Sequence, residues 1–269
     1  MKNTTRSLLL IFFVSLSSMT GQDVDMSHFK KDYAEVRKNL YVCKYEVRNK
    51  EYRDFIAYLE KTGQKSLYQI CLPDTACWLT KLKNGAPLAA FYFRNHHYDE
   101  HPVVGISHEA ATLYCNWLSN AYNQQKKRKY KKVTFTLPNK EEWIFAANKG
   151  DDSKIYTWGS GFMQNNRKQY LCNFKHTDFV YDSLTKKYTE IEQKQDRETI
   201  TTSVQSYYPS SCGMYNMCGN VAEMIEETGI AMGGGFSDNA YQVRILSEKK
   251  YNKPQADIGF RVAMRVVEN

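Results

Sequence analysis

The pattern of apolar residues changes character near Gly159, and that change limits the fold more than any other feature of this 269-residue chain. Before it, three segments carry apolar residues at helical spacing behind capping side chains. Asn49 is placed to cap a helix with Tyr52, Phe55, Ile56 and Leu59 on one face, and Ser107 to cap one with Ala110, Ala111, Tyr114 and Leu118. Asn139, with Glu142 three residues on, forms a capping-box pattern that turns Trp143, Phe145 and Ala146 inward. Beyond Gly159 the periodicity fades into aromatic- and glycine-rich turns. Helices early and irregular β structure late predict an α+β domain and argue against a doubly wound sheet.

Between the helices, Tyr41 to Val47 alternates apolar and polar residues and predicts a half-buried strand. His101 to Ile106 reads as a second strand. The stretch from Gly63 to about Pro87 is polar and irregular and reads as a loop. Lys126, Lys127, Arg128, Lys129, Lys131 and Lys132 form a basic run. Such a run can attract an acidic glycan or phosphate surface, but here it reads as a solvated connection between a helix and a strand.

Lys2 and Arg6 precede an apolar run from Leu8 to Leu16 and then small polar residues to Gln22, the layout of a cleavable secretory signal over residues 1–22. That run is shorter than the roughly 20 residues needed to span a bilayer, and no later segment is apolar enough to do so. Residues 23–269 are then one exported domain, periplasmic or extracellular. The first cysteine is Cys43, too far from the cleavage region for a lipoprotein. The formal charge of +8 becomes +6 without Lys2 and Arg6, which is no nucleic-acid signature. Seven cysteines leave at least one without an intramolecular partner. Cys71 and Cys77 flank a Pro73-Asp74 turn that could close a small loop, and Cys212 and Cys218 are a second candidate pair.

Six motifs follow in order from Tyr45 to Ala263: KYEVRNKEYRDF, HPVVGISHEAATLYCNWLS, TLPNKEEWIFAA, YTWG, GMYNMCGNVAE, and MGGGF followed by DIGFRVA. Together they resemble the sulfatase-modifying-factor, or formylglycine-generating-enzyme, domain family, which implies a C-type-lectin-like fold variant. FYFRNHHYDEHPVVGI and the long stretch after Gly63 are similar to the gliding-motility and type IX secretion lipoproteins of that family. The same likeness makes His96, His97, Asp99 and His101 part of a strand entry and not a zinc or iron site.

The family oxidises a substrate cysteine with copper(I) held by two thiolates, since soft sulfur suits that ion. Aligning Gly233-Gly234-Gly235-Phe236 on the family's motif puts Asp238 and Val243 at the two cysteine positions and Gly235 at the serine. Neither Asp238 nor Val243 is a soft ligand, and no cysteine follows Cys218, so the resemblance implies a domain without copper and without that catalysis. It also implies two structural calcium sites. One would use the Asn216 side chain, the carbonyls of Gly219 and Val221, and the Glu223 carboxylate. The other would use Asn173, the carbonyl of Phe174, Asp196 and the carbonyl of Glu198. Calcium takes six to eight such oxygens, water included.

The leading expectation is a non-catalytic binding or scaffold component of the bacterial envelope with a protein partner, associated with secretion or gliding machinery. The alternatives are an enzyme whose chemistry has moved within the cleft, using Asp238, Arg244 and Ser237, and a lectin-like adhesin. Abundant tyrosines suit a glycan or protein surface, because each offers a large contact area at low entropic cost.

Overall fold

The computed structural model describes residues 29–192 and 200–269. The leader over residues 1–22 lies outside them, as do Asp196 and Glu198. A short turn of helix, α1 (Phe29–Asp32), leads into strands β1 (Tyr33–Arg37) and β2 (Leu40–Cys43). Five helices follow: α2 (Asn49–Lys61), α3 (Lys65–Cys71), α4 (Cys77–Lys81), α5 (Ala86–Phe91) and α6 (His108–Gln124). Then come β3 (Lys132–Thr136), α7 (Lys140–Asn148) and the hairpin β4 (Thr177–Asp182) and β5 (Lys187–Glu192). The chain ends with β6 (Ala222–Met224), β7 (Ile230–Met232), β8 (Glu248–Lys250), β9 (Ile258–Phe260) and β10 (Ala263–Glu268).

One sheet runs β1-β2-β10-β3, antiparallel throughout, and another β8-β7-β6-β9, with β6 and β9 parallel. The α+β expectation is met, with open sheets and long irregular connections. Phe260 in β9, Tyr52 in α2 and Tyr114 in α6 meet in one core, where the two tyrosine rings stack at 5.6 Å. A second core gathers Trp143, Met217, Met232, Val243 and Ile245. Among the described residues no helix is long and apolar enough to cross a membrane.

Two of the three cap assignments hold. Ser107 Oγ accepts from the Ala110 N–H, and Asn139 and Glu142 exchange both bonds of a capping box. Asn49 is the exception. It is the first helical residue and is buried, its amide donating to the Tyr98 and Tyr92 carbonyls, while Arg48 takes the cap position with its N–H on the Glu51 carboxylate. Phe145 is only half-buried, with the Arg37 guanidinium 4.5 Å over its ring.

Three other expectations are corrected. The strand over Tyr41–Val47 stops at Cys43. His101–Ile106 is not a strand, because Pro102 lacks an N–H and Gly105 turns with φ +72°; its bonds go singly, from Val103 N–H to the Val47 carbonyl and from Gly105 N–H to that of Gln255. The loop after Gly63 contains the three short helices α3, α4 and α5, anchored by buried Cys71, Trp78 and Leu88. All seven cysteines are thiols. Cys71 and Cys77 pack into different apolar clusters, which keeps that pair apart.

Candidate functional site

The glycine triplet after β7 lies where backbone from three directions converges. A Cβ at Gly233, whose φ is +81°, would sit 2.5 Å from the Met217 carbonyl oxygen, and one at Gly235 2.7 Å from that of Asp257. Real Cβ contacts are not that short, so this chain has no space for the family's serine at position 235 without backbone movement. The tight turn then leads through Phe236 and Ser237 to Asp238, which lines a cleft.

Asp238 is 7 % exposed and fully engaged at one oxygen: Oδ2 accepts from the Gly235 N–H at 2.8 Å and from Lys249 Nζ at 2.6 Å. Lys249, on β8, also reaches Oδ2 of Asp257 at 2.6 Å, and Lys81 from α4 reaches the same oxygen at 2.5 Å. Ser237 Oγ donates to that carboxylate as well. Burial pushes the Asp257 carboxyl up, but Lys249 and Lys81 outweigh it and hold it below the usual carboxylate range. Burial likewise presses Lys249 down, and Asp257 and Asp238 reverse that shift. The ammonium therefore stays charged. It bridges two carboxylates and is no base.

Val243 is a fully buried core residue. The structure thus brings Asp238 and Ser237 into one ion cluster, while the Arg244 guanidinium lies 4.1 Å over the ring of Tyr241 and is not a member of the cluster. The cluster's other members were missed in the sequence. Asp257 stands at the head of a quoted motif, yet nothing local marked Lys81 or Lys249. Trp78 of α4 stacks on Phe236 at 5.9 Å and 13°, so the helical segment after Gly63 forms one wall.

Deeper in the fold lies a second polar group. Arg261, fully buried, sets its Nε on Oε2 of Glu223 at 2.5 Å and an Nη on Oε1 at 2.5 Å, while the Trp143 indole donates to Oε2 at 2.7 Å. Three of the four carboxylate lone pairs are spent, and one on Oε1 remains. Asn216, at φ +52°, donates from Nδ2 to the Val204 carbonyl and to Glu46, whereas its Oδ1 is buried without a hydrogen-bond partner. An orphaned acceptor costs about 1–3 kcal/mol, and a hard cation is a partner that would satisfy it. Asn216 Oδ1 is thus an oxygen acceptor without a protein partner, whereas the Glu223 carboxylate, the other expected side-chain ligand, is already neutralised by Arg261.

Glu46, also buried, accepts from the Asn220 amide at 2.8 Å. Burial raises its carboxyl to about 7, with Arg261 opposing and Glu223 reinforcing the shift. Of the other expected calcium ligands, Asn173 is buried and donates to the Ile200 carbonyl at 2.8 Å, and Phe174 packs in the second core. Their expected partners Asp196 and Glu198 fall outside the described residues. His96, His97 and Tyr98 form a turn in which His96 and Arg53 both hold Asp99, and His101 Nδ1 lies 3.1 Å from Thr201 Oγ1.

Comparison with known proteins bears on the family and the fold. The family model for the sulfatase-modifying factor enzyme 1-like domain matches residues 19–266. A formylglycine-generating enzyme of Streptomyces coelicolor is 30 % identical over 123 residues, 46 % of this chain and 31 % of that protein. A Bos taurus protein named inactive C-alpha-formylglycine-generating enzyme 2 is 29 % identical over 125 residues, 46 % of this chain and 32 % of the relative. The matches thus span about a third of the length of these two relatives. The crystal structure of CarF aligns with a TM-score of 0.54 at 21 % identity, covering 85 % of this chain and 87 % of that one, a likeness of fold.

Proposed function

Because this chain belongs to the sulfatase-modifying factor enzyme 1-like domain family, we propose that it is a non-catalytic member, exported to the bacterial cell envelope and acting there as a binding or scaffold component. The observation that carries this reading is Lys249 between Asp238 and Asp257. At the position where the family's resemblance calls for a copper-binding thiolate, an ammonium is clamped by two carboxylates. A second cation in that place would meet like charge, and neither oxygen donor is the soft ligand that copper(I) takes. A relative whose name marks it as inactive makes loss of catalysis a precedent within the family.

On this reading the fold is retained as a rigid support. Calcium at Asn216 and Glu223 would supply cross-linking charge between the glycine-rich turns and do no chemistry. The partner is an envelope protein, and association with secretion or gliding machinery follows from the likeness of the segment around His96 to His101.

The test has two parts. Purified chain incubated with copper(I), oxygen and a cysteine-containing peptide is expected to yield no formylglycine. Affinity capture from the native envelope is expected to recover a specific protein. Formylglycine in the peptide, or capture of nothing, overturns the proposal.

A further inference from the structure

Two members of the ion cluster, Asp238 and Lys249, line a pocket of about 320 Å³ together with Tyr241, Gln242, Leu246, Ser247 and Glu248. That volume is at the small end of ligand pockets. It admits one compact unit and not an extended peptide.

Its chemistry is unusual in being charged yet balanced. Each ionic side chain of the lining has a protein counter-ion: Asp238 pairs with Lys249, and Glu248 pairs with Lys140. A charged ligand would lose its water and find no unpaired opposite charge, which is costly. What remains available is a mixture of neutral hydrogen-bonding capacity. Gln242 accepts from the Asn239 N–H through Oε1, which leaves its amide hydrogens. Ser247 donates to the Tyr241 carbonyl, which leaves the lone pairs of its oxygen. Asp238 keeps the lone pairs of Oδ1, since both its bonds fall on Oδ2. Donor and acceptor capacity thus both remain in the lining, which suits groups able to do both, namely hydroxyls.

The mouth is apolar. Tyr241 is 67 % exposed and Leu246 62 % exposed. The Arg244 guanidinium lies over one face of the Tyr241 ring and so holds its orientation, and the exposure of the ring leaves room for a further contact. A ligand that satisfies both features carries a flat C–H face and a rim of hydroxyls, which describes a pyranose ring.

We propose that this pocket binds a single neutral sugar residue, with Tyr241 stacking on the ring and Gln242, Ser247 and Asp238 taking its hydroxyls. The proposal rests on the non-catalytic binding reading and gives that site its ligand class.

Saturation-transfer NMR of the whole chain with the methyl glycosides of glucose, galactose and mannose at millimolar concentration tests it. Transfer to at least one of them is expected, together with at least tenfold weaker binding in Tyr241→Ala and unchanged binding in Leu184→Ala, a fully exposed control far along the chain. Glucuronate and glucosamine, each carrying a charge, should bind at least tenfold more weakly than the best neutral glycoside. Retention on immobilised dextran or on a mannose-bearing glycoprotein would assign the source as polysaccharide or protein-linked glycan, and retention on neither would assign a free sugar. No transfer to any neutral glycoside, equal binding of a charged sugar, or full binding by a folded Tyr241→Ala variant overturns the proposal. None of these results bears on thiol oxidation or partner capture, so failure here is distinguishable from failure of the non-catalytic reading.

Discussion

Lys249 Nζ lies 2.6 Å from Oδ2 of Asp238 and 2.6 Å from Oδ2 of Asp257, so one ammonium joins two acidic side chains from different turns. Removing one partner of a buried ionic pair is more damaging than never having had it, because the remaining charge stays out of water. Lys249→Met should therefore lower stability by about 2 kcal/mol, below the usual range for buried pairs since Lys81 still holds Asp257. Urea denaturation of both proteins measures this. A difference near zero would mean that the cluster contributes no net stability.

Calcium binding predicts a specific thermal signature. A ligand held only by the native state adds about 2.7 kcal/mol when present at a hundred times its Kd. Calcium should raise the melting temperature and a chelator should lower it. Asn216→Gly keeps a left-handed backbone position while deleting the unpartnered Oδ1, so the calcium response should shrink in that variant. An equal shift in both proteins would place the response elsewhere.

His101 gives a pH dependence with a definite sign. Burial first, and His97 second, lower its pKa from 6.5 to about 4. The folded state therefore binds fewer protons than the unfolded state over that interval. The stability that follows from this is fully present above pH 6.5 and is lost as the pH falls toward 4. Melting temperatures recorded between pH 8 and 4 should decline across that window, and His101→Gln should flatten the decline. A His101→Gln profile that runs parallel to the wild type would refute the assignment.

Thiol chemistry should be almost silent in the native protein. Burial lifts Cys43, Cys77 and Cys218 to about 12 and Cys71 to about 11, which leaves little of the reactive thiolate at neutral pH. Cys212 is the half-buried exception. Ellman's reagent should titrate about one thiol per native chain and all seven after denaturation. Rapid labelling of several native thiols would contradict this packing.

The three long helices were legible because each has a continuous apolar face behind a local start signal, and Ser107 and Asn139 perform the capping their positions predicted. Asn49 misled because a buried amide satisfying two distant carbonyls looks identical, in sequence, to a cap. The short helices α3 to α5 were illegible for a related reason: none is long enough to show a period, and each is held by tertiary burial of residues such as Trp78 and Leu88. At the site, the family resemblance is what sets Asp238 and Val243 at the two thiolate positions. Their fates could not be read in sequence, since Val243 went into the core while Asp238 joined ions contributed from α4 and β8. Pairing across such sequence distances leaves no local trace.

The stacking of Trp78 on Phe236 makes a five-residue helix the seal over the cluster. Asp257 has no exposed surface, and Lys81 reaches it from the last position of that same helix. Fraying of this one turn would hydrate the carboxylate and release a cation together, so the most buried charge in the cleft depends on one of the shortest elements of the molecule. The cluster thus draws one of its two cations and one of its aromatic walls from α4.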